Sequence, residues 1–175
     1  GRNQSEVRLG QPLGLFILDG SEFDHPAQHD LAATLCRFAA LERVVAPEAM
    51  LATNTSALSI TSIAGACLRP ERVVGLHFFN PAPLMPLVEV VRGHATPGAL
   101  VDAACALVQR WGKTTVVAAD TPGFIVNRIA RPFYGEALRI LDEGIADCAT
   151  IDWAMRTLGG FRMGPFELID LIGLD

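Results

Sequence analysis

RVVGLHFFNPAPLMPLVEVV, residues 72–91, holds two apolar runs separated by a proline-rich loop. Each run contains one polar residue that an ordinary core would not select, His77 and Glu89. Residues 72–79 are rich in Val, Leu and Phe, the composition of a strand buried on both faces. His77 sits near the carboxyl end of that strand, the end outside which ligands bind in open α/β sheets. Asn80-Pro81 breaks the strand, and Pro83 and Pro86 are expected to keep the loop extended. Glu89 lies between Val88 and Val90, where a carboxylate is costly to bury unless something pairs with it. The two positions are 89 − 77 = 12 apart, enough for a return connection to bring them together. A carboxylate on one ring nitrogen of a histidine fixes the tautomer, leaves the other nitrogen as a base and stabilises the imidazolium that forms. The same positions also suit a capped core histidine and a strand-edge glutamate in contact with solvent.

The whole chain bounds what such a pair could serve. Half of its 175 residues are apolar and 19% are charged, which suits a soluble globular chain of one or two domains. A net charge of −5 argues against nucleic acid and anionic membrane surfaces as partners. No apolar run reaches the roughly 18 residues of a membrane span, and no signal peptide opens the chain. Cys36, Cys67, Cys105 and Cys148 are scattered, with no CxxC or Cys/His cluster. Neither a metal site nor a disulfide framework is expected, and a reducing cytoplasm fits. The chain starts at Gly1 and stops at Asp175 directly after an apolar run, so both ends read as cuts.

Around the central stretch, strands and helices alternate. Residues 13–18 (LGLFIL) form a candidate strand, followed by a turn at Asp19-Gly20. Asp30 could cap a helix whose apolar stripe runs through Leu31, Leu35, Phe38, Leu41 and Val45, with Pro47 ending it. Residues 49–53 read as a strand and residues 60–68 as a short helix. Pro97 opens a helix that Gly112 stops, and residues 114–119 are another strand. This alternation implies a parallel α/β sheet. No strand is expected after Asp120. Residues 124–141 carry helical spacing with a kink or break at Pro132; another helix starts at Asp147 or Thr150, and a last one follows Pro165. The expected architecture is an α/β, incomplete Rossmann-like parallel sheet over residues 1–119, with 1–28 unassigned, followed by part of an all-helical C-terminal domain over 120–175.

Three further spots invite a chemical reading. Asn54-Thr55-Ser56 places an amide and hydroxyls at a strand's carboxyl end, and it equally suits a turn with a helix cap. Asn127 is a poor interior helix residue set among Ile125, Val126 and Ile129; it is either a site residue or an outward-facing polar position. Gly164-Pro165-Phe166-Glu167 is a turn into a helix, with Glu167 placed to suit the macrodipole.

ATNTSALSITSIA, GLHFFNPAPLMPLVEVV, DTPGFIVNR and GPFELIDLIGLD occur in this order, and from about Ala46 to Asp175 the chain resembles the 3-hydroxyacyl-CoA dehydrogenase family. Its finer wording is similar to bacterial 3-hydroxybutyryl- and 3-hydroxyadipyl-CoA dehydrogenases of aromatic-compound degradation. The resemblance implies an NAD-dependent enzyme that oxidises a (3S)-3-hydroxyacyl-CoA to a 3-oxoacyl-CoA, a homodimer in the full-length protein. It assigns His77 as the catalytic base, Glu89 as the acid that orients it, Ser56 as the residue bonding the substrate oxygen near the nicotinamide, and Asn127 as a second holder of that oxygen. Asn80, with Ser56, would touch the cofactor.

The chain departs from the family pattern near its start. The family opens on a strand, a GxGxxG turn and a helix that hold the pyrophosphate, and no GxGxxG occurs here. Where the family places an acidic residue and a lysine against the cofactor, this sequence has His29 and Thr34. Two readings of different class follow: the catalytic half of an NAD-dependent dehydrogenase, or a non-catalytic acyl-CoA-binding remnant unable to cradle the dinucleotide. The dehydrogenase part of a multifunctional β-oxidation enzyme carries the same motifs.

Overall fold

A computed structural model describes residues 15–18 and 31–173. The turn expected at Asp19-Gly20 and the helix cap expected at Asp30 lie outside the described residues. The chain divides into two compact units, residues 1–125 and 126–175.

Among the described residues, the first unit is built on a five-stranded sheet in the order β1–β2–β3–β4–β5. Its strands are Leu15–Leu18, Met50–Thr53, Val73–Phe78, Leu87–Arg92 and Thr114–Ala119. The helices are α1 (Leu31–Glu42), α2 (Ile60–Ala64) and α3 (Gly98–Arg110), with a 3-10 turn at Pro70–Arg72. The α/β architecture stands as expected, with one difference of direction. β1, β2 and β3 run parallel, β3 and β4 antiparallel, and β4 and β5 parallel again. Only residues 79–86 separate β3 from β4. A parallel crossover needs about a dozen residues or more, so the chain has to return antiparallel.

Side-chain alternation sorts the sheet's residues onto two faces. Met50, Ala52, Val74, Leu76, Val88 and Val90 pack with Val101, Ala104 and Val108 of α3. Leu51, Val73, Val91 and Ala118 pack with Phe38 of α1 and with Ile60, Ile63 and Ala64 of α2. His77 and Glu89 belong to this second face, two residues along from Gly75 and Val91. Gly75 lets α2 press close: a Cβ there would meet Val91 Cβ at 2.7 Å and Ile60 Cδ1 at 2.9 Å, closer than real Cβ atoms come. Arg72 is buried; its guanidinium donates to the carbonyls of Ala49 (2.9 Å) and Ala46 (2.6 Å) and staples the entry of β2 to that of β3.

Three expectations about segment lengths and loops are corrected. α1 stops at Glu42, not Val45, because the Glu42 carboxylate accepts the N–H groups of Leu68 and Arg69 and the chain turns away, while Leu41 and Val45 still pack on the core. α2 ends at Ala64, where Gly65 caps it, and i→i+3 turns continue through Cys67. The loop after β3 is not extended throughout. Leu84 and Met85 N–H reach back to the Pro81 carbonyl (2.9 and 3.0 Å), and Lys113 Nζ donates to the carbonyls of Ala82 and Met85.

The second unit contains α4 (Val126–Asp142), α5 (Cys148–Thr157) and α6 (Pro165–Ile172). α4 runs unbroken through Pro132. Proline removes one i→i−4 bond there, and the turns on either side carry the helix across it. Asp147 caps α5 through the Thr150 N–H (2.8 Å), and bonding from Thr150 holds its carboxyl below the usual range. The rings of Phe133 and Phe161 stack with centroids 4.7 Å apart. Asp152 is buried and accepts the N–H groups of Phe166 (2.9 Å) and Glu167 (3.1 Å), closing α5 onto the start of α6. Glu167 in turn accepts the Gly164 N–H (3.0 Å) and pairs with Arg156. Gly164 is required by this packing, since a Cβ would come within 2.3 Å of the Asp152 carboxyl.

Candidate functional site

The β3–β4 register sets His77 directly opposite Glu89. Opposed residues of an antiparallel pair project to the same face, so the twelve-residue spacing becomes contact. His77 Nδ1 lies 2.7 Å from Glu89 Oε2, with the side chains 5% and 0% exposed. Glu89 is therefore not the solvent-contacting strand-edge residue that its sequence also allowed. It is an interior carboxylate with bonding partners, as burial demands. Its other oxygen, Oε1, accepts the N–H of Ile125 at 2.9 Å. The imidazole lies against two phenyl rings: Phe79 at 4.7 Å between centroids, tilted by 57°, and Phe124 at 5.5 Å, edge-on at 62°.

The pair stands at the carboxyl end of β3, beside the carboxyl end of the parallel strand β2. The loop leaving β2 is fixed by its own side chains. Asn54 Oδ1 accepts the Phe78 N–H at 2.8 Å, bridging to the residue after His77. Thr55 Oγ1 accepts the N–H groups of Ala57 (3.3 Å) and Leu58 (2.9 Å), and Ser59 caps α2. The turn-and-cap reading of this stretch therefore describes Thr55 and Ser59, while Ser56 stays exposed at the top of the turn. Asn80 is exposed just after β3. Four of the expected residues, His77, Glu89, Ser56 and Asn80, thus lie on or just beyond the strands at one end of the sheet. Asn127 is the second residue of α4, partly buried, and belongs to the second unit.

Residues that composition alone did not single out complete the pair's surroundings. Phe79 and Phe124 confine the ring, and the Ile125 amide holds Glu89. Their signal in the sequence is the Thr121-Pro122-Gly123 turn, together with the need of an interior carboxylate at Glu89 for more than one donor.

At the opposite end of the sheet a groove of about 620 Å³ is lined by Thr61, Arg92, Gly93, His94 and Asp120, among others. It does not include His77, and chemistry is better placed at the buried pair. Asp120 there accepts from Ser59 Oγ (2.8 Å), Ile60 N (3.0 Å) and Thr61 N (2.8 Å). Burial pushes its carboxyl up, but the bonds from Thr61, Ser59 and Ile60 outweigh this and hold it below the usual range.

Ser56 and Asn80 are exposed beyond the carboxyl ends of the parallel strands β2 and β3, the end outside which ligands bind in α/β sheets. Polar groups there fit the nicotinamide end of a dinucleotide, while the sequence has no GxGxxG turn for its phosphates.

Comparison with known proteins gives a consistent answer. The family model described as 3-hydroxyacyl-CoA dehydrogenase, NAD binding domain, matches residues 31–121, and the one for that family's C-terminal domain matches residues 123–175. The chain is 56% identical over 138 residues to a 3-hydroxyadipyl-CoA dehydrogenase of Escherichia coli (strain K12), covering 79% of this chain and 29% of that protein. It is 49% identical over 132 residues to a 3-hydroxybutyryl-CoA dehydrogenase of Bradyrhizobium diazoefficiens, covering 75% of this chain and 45% of that one. A crystal structure of 3-hydroxybutyryl-CoA dehydrogenase from Escherichia coli K12 superposes with a TM-score of 0.84 at 52% identity, covering 91% of this chain and 32% of that one. The chain spans less than half the length of these relatives.

Proposed function

The chain belongs to the 3-hydroxyacyl-CoA dehydrogenase family, and from that premise we propose that it carries the proton-handling part of the NAD-dependent oxidation of a (3S)-3-hydroxyacyl-CoA to a 3-oxoacyl-CoA. The observation that carries the proposal is the buried 2.7 Å contact between His77 Nδ1 and Glu89 Oε2. With Glu89 ionised, Nδ1 bears the proton and donates it to the carboxylate, so Nε2 holds the free lone pair. Nε2 takes the proton of the substrate's 3-hydroxyl, and Glu89 stabilises the imidazolium that results. NAD, when bound, supplies the hydride acceptor. Ser56 bonds the substrate oxygen as it becomes a carbonyl, Asn127 is its second donor in this scheme, and Asn80 touches the cofactor. The phenyl rings of Phe79 and Phe124 keep water from the imidazole, so the proton passes to one acceptor. In the whole protein the family resemblance implies a homodimer, which light scattering checks.

In the full-length enzyme, His77→Gln should lower kcat for 3-hydroxybutyryl-CoA oxidation by roughly 10²- to 10⁴-fold, the usual worth of a positioned acid–base group. A wild-type rate in that variant would remove His77 from the chemistry. One observation favours a second reading, an acyl-CoA-binding module without a dinucleotide cradle: the 175 residues contain no GxGxxG. Titrating this chain with NADH, followed by nicotinamide fluorescence, separates the two, since tight binding contradicts the second.

A further inference from the structure

We infer that the turn Thr121–Ile125, and Phe124 within it, is a positioning element that sets the geometry of the His77–Glu89 pair. This inference rests on the reading of His77 as the base. Glu89 has no freedom to aim itself from mid-strand. One oxygen faces His77 Nδ1, and the other accepts the Ile125 N–H at 2.9 Å. Two such contacts on one carboxylate fix its plane, and with it the line along which Nδ1 donates.

What aims that amide is an unusual backbone. Gly123 and Phe124 both have positive φ, 76° and 47°. Glycine adopts this freely, but a bulky residue there is an outlier that persists only where its surroundings over-determine it. Here they do. Phe124 N–H bonds the Thr121 carbonyl at 2.9 Å, the side chain is 4% exposed among the sheet's core residues, and its ring meets His77 edge-on. Phenylalanine is poorly suited to that φ, so the backbone does not explain its presence. Its contact with the imidazole does: the ring that holds the strained turn in place also abuts His77, and the next amide bonds the partner of His77. Phe79 packs against the same imidazole. Phe124 is thus a positioning residue that acts through His77 and Glu89.

The test uses the full-length enzyme. Phe124→Leu keeps apolar bulk in the core. It should lower kcat by roughly 10- to 100-fold, the scale expected for a small misplacement of a reacting group, with KM for acyl-CoA and NAD changed less than about twofold. The Nδ1–H proton, identified by its loss in His77→Gln, should give a far-downfield NMR signal in wild type that broadens or moves in Phe124→Leu. A wild-type kcat with an unmoved signal overturns the inference. Should the variant not fold, hydrogen exchange on wild type decides: the Ile125 amide should exchange slowly although its side chain is partly exposed, and fast exchange there overturns the inference as well. Failure of the base assignment is distinct, because it appears as a wild-type rate in His77→Gln whatever Phe124→Leu does.

Discussion

Two buried carboxylates, one in each unit, show how similar chemistry serves different ends. Asp152 gives its two oxygens to backbone N–H groups, those of Phe166 and Glu167. Neither donor can titrate, so the contact holds one arrangement, the join of α5 and α6. Glu89 gives one oxygen to a backbone N–H, that of Ile125, and the other to an imidazole. That second partner can gain and lose a proton while the first keeps the carboxylate in place. Burial and bonding alone therefore do not mark a site; the identity of the second partner does.

The comparison breaks most visibly if the two carboxylates respond alike. Glu89→Gln, nearly isosteric, should lower kcat of the full-length enzyme by roughly 10²-fold or more while thermal stability changes little. A wild-type kcat in that variant would show that the carboxylate is inert. Asp152→Ala should behave in the opposite way. It strands two part-buried amides, so denaturant unfolding should show a loss of roughly 2–3 kcal/mol, while kcat of the folded protein stays at wild type. A large fall in kcat with unchanged stability would erase the distinction between the two acids.

Smaller effects sharpen the picture. Gly75→Ala inserts a Cβ within 2.7 Å of Val91 Cβ, and overpacking of this kind should cost roughly 1–3 kcal/mol in an unfolding titration. A neutral result would mean that α2 can retreat from the sheet freely. Asp120→Ala should cost about 1 kcal/mol, the usual value of a lost cap. Because the folded Asp120 carboxyl lies below its ordinary value of 3.8, its contribution is fully present above that pH and is lost as pH falls through the lower folded value. The wild-type advantage over the variant should therefore shrink only in strong acid, as measured by unfolding at pH 6 and pH 2.5. An advantage that vanished by pH 5 would contradict the assignment.

Much of this was legible in the sequence, for reasons that differ by residue. The hairpin was readable because two apolar runs with one polar residue each, separated by prolines, leave few ways to bury both faces. The contact between His77 and Glu89 followed from spacing once the strands returned antiparallel. That return is an antiparallel step in the otherwise parallel sheet that the alternation of elements implies, because residues 79–86 are too few for a crossover. Asp147 and Pro165 marked helix starts through their capping chemistry, which is local. The early end of α1 was not readable: its apolar stripe continues to Val45, and only the long-range acceptance of the Leu68 and Arg69 amides by Glu42 shows why the helix stops. Phe124 was hidden for the same reason, since its importance lies in a backbone angle and in a ring contact with a residue 47 positions away (124 − 77 = 47). Asn54 resembled a ligand-docking amide, yet its oxygen is committed to the Phe78 N–H.

The most direct test of the coupled pair is a double-mutant cycle on kcat/KM in the full-length enzyme, with His77→Gln, Glu89→Gln and both together. If Glu89 acts through His77, the double variant is no slower than His77→Gln alone, since residues that work as a unit are strongly non-additive. Losses that multiply, the double variant slower by the product of the two single effects, would contradict that coupling.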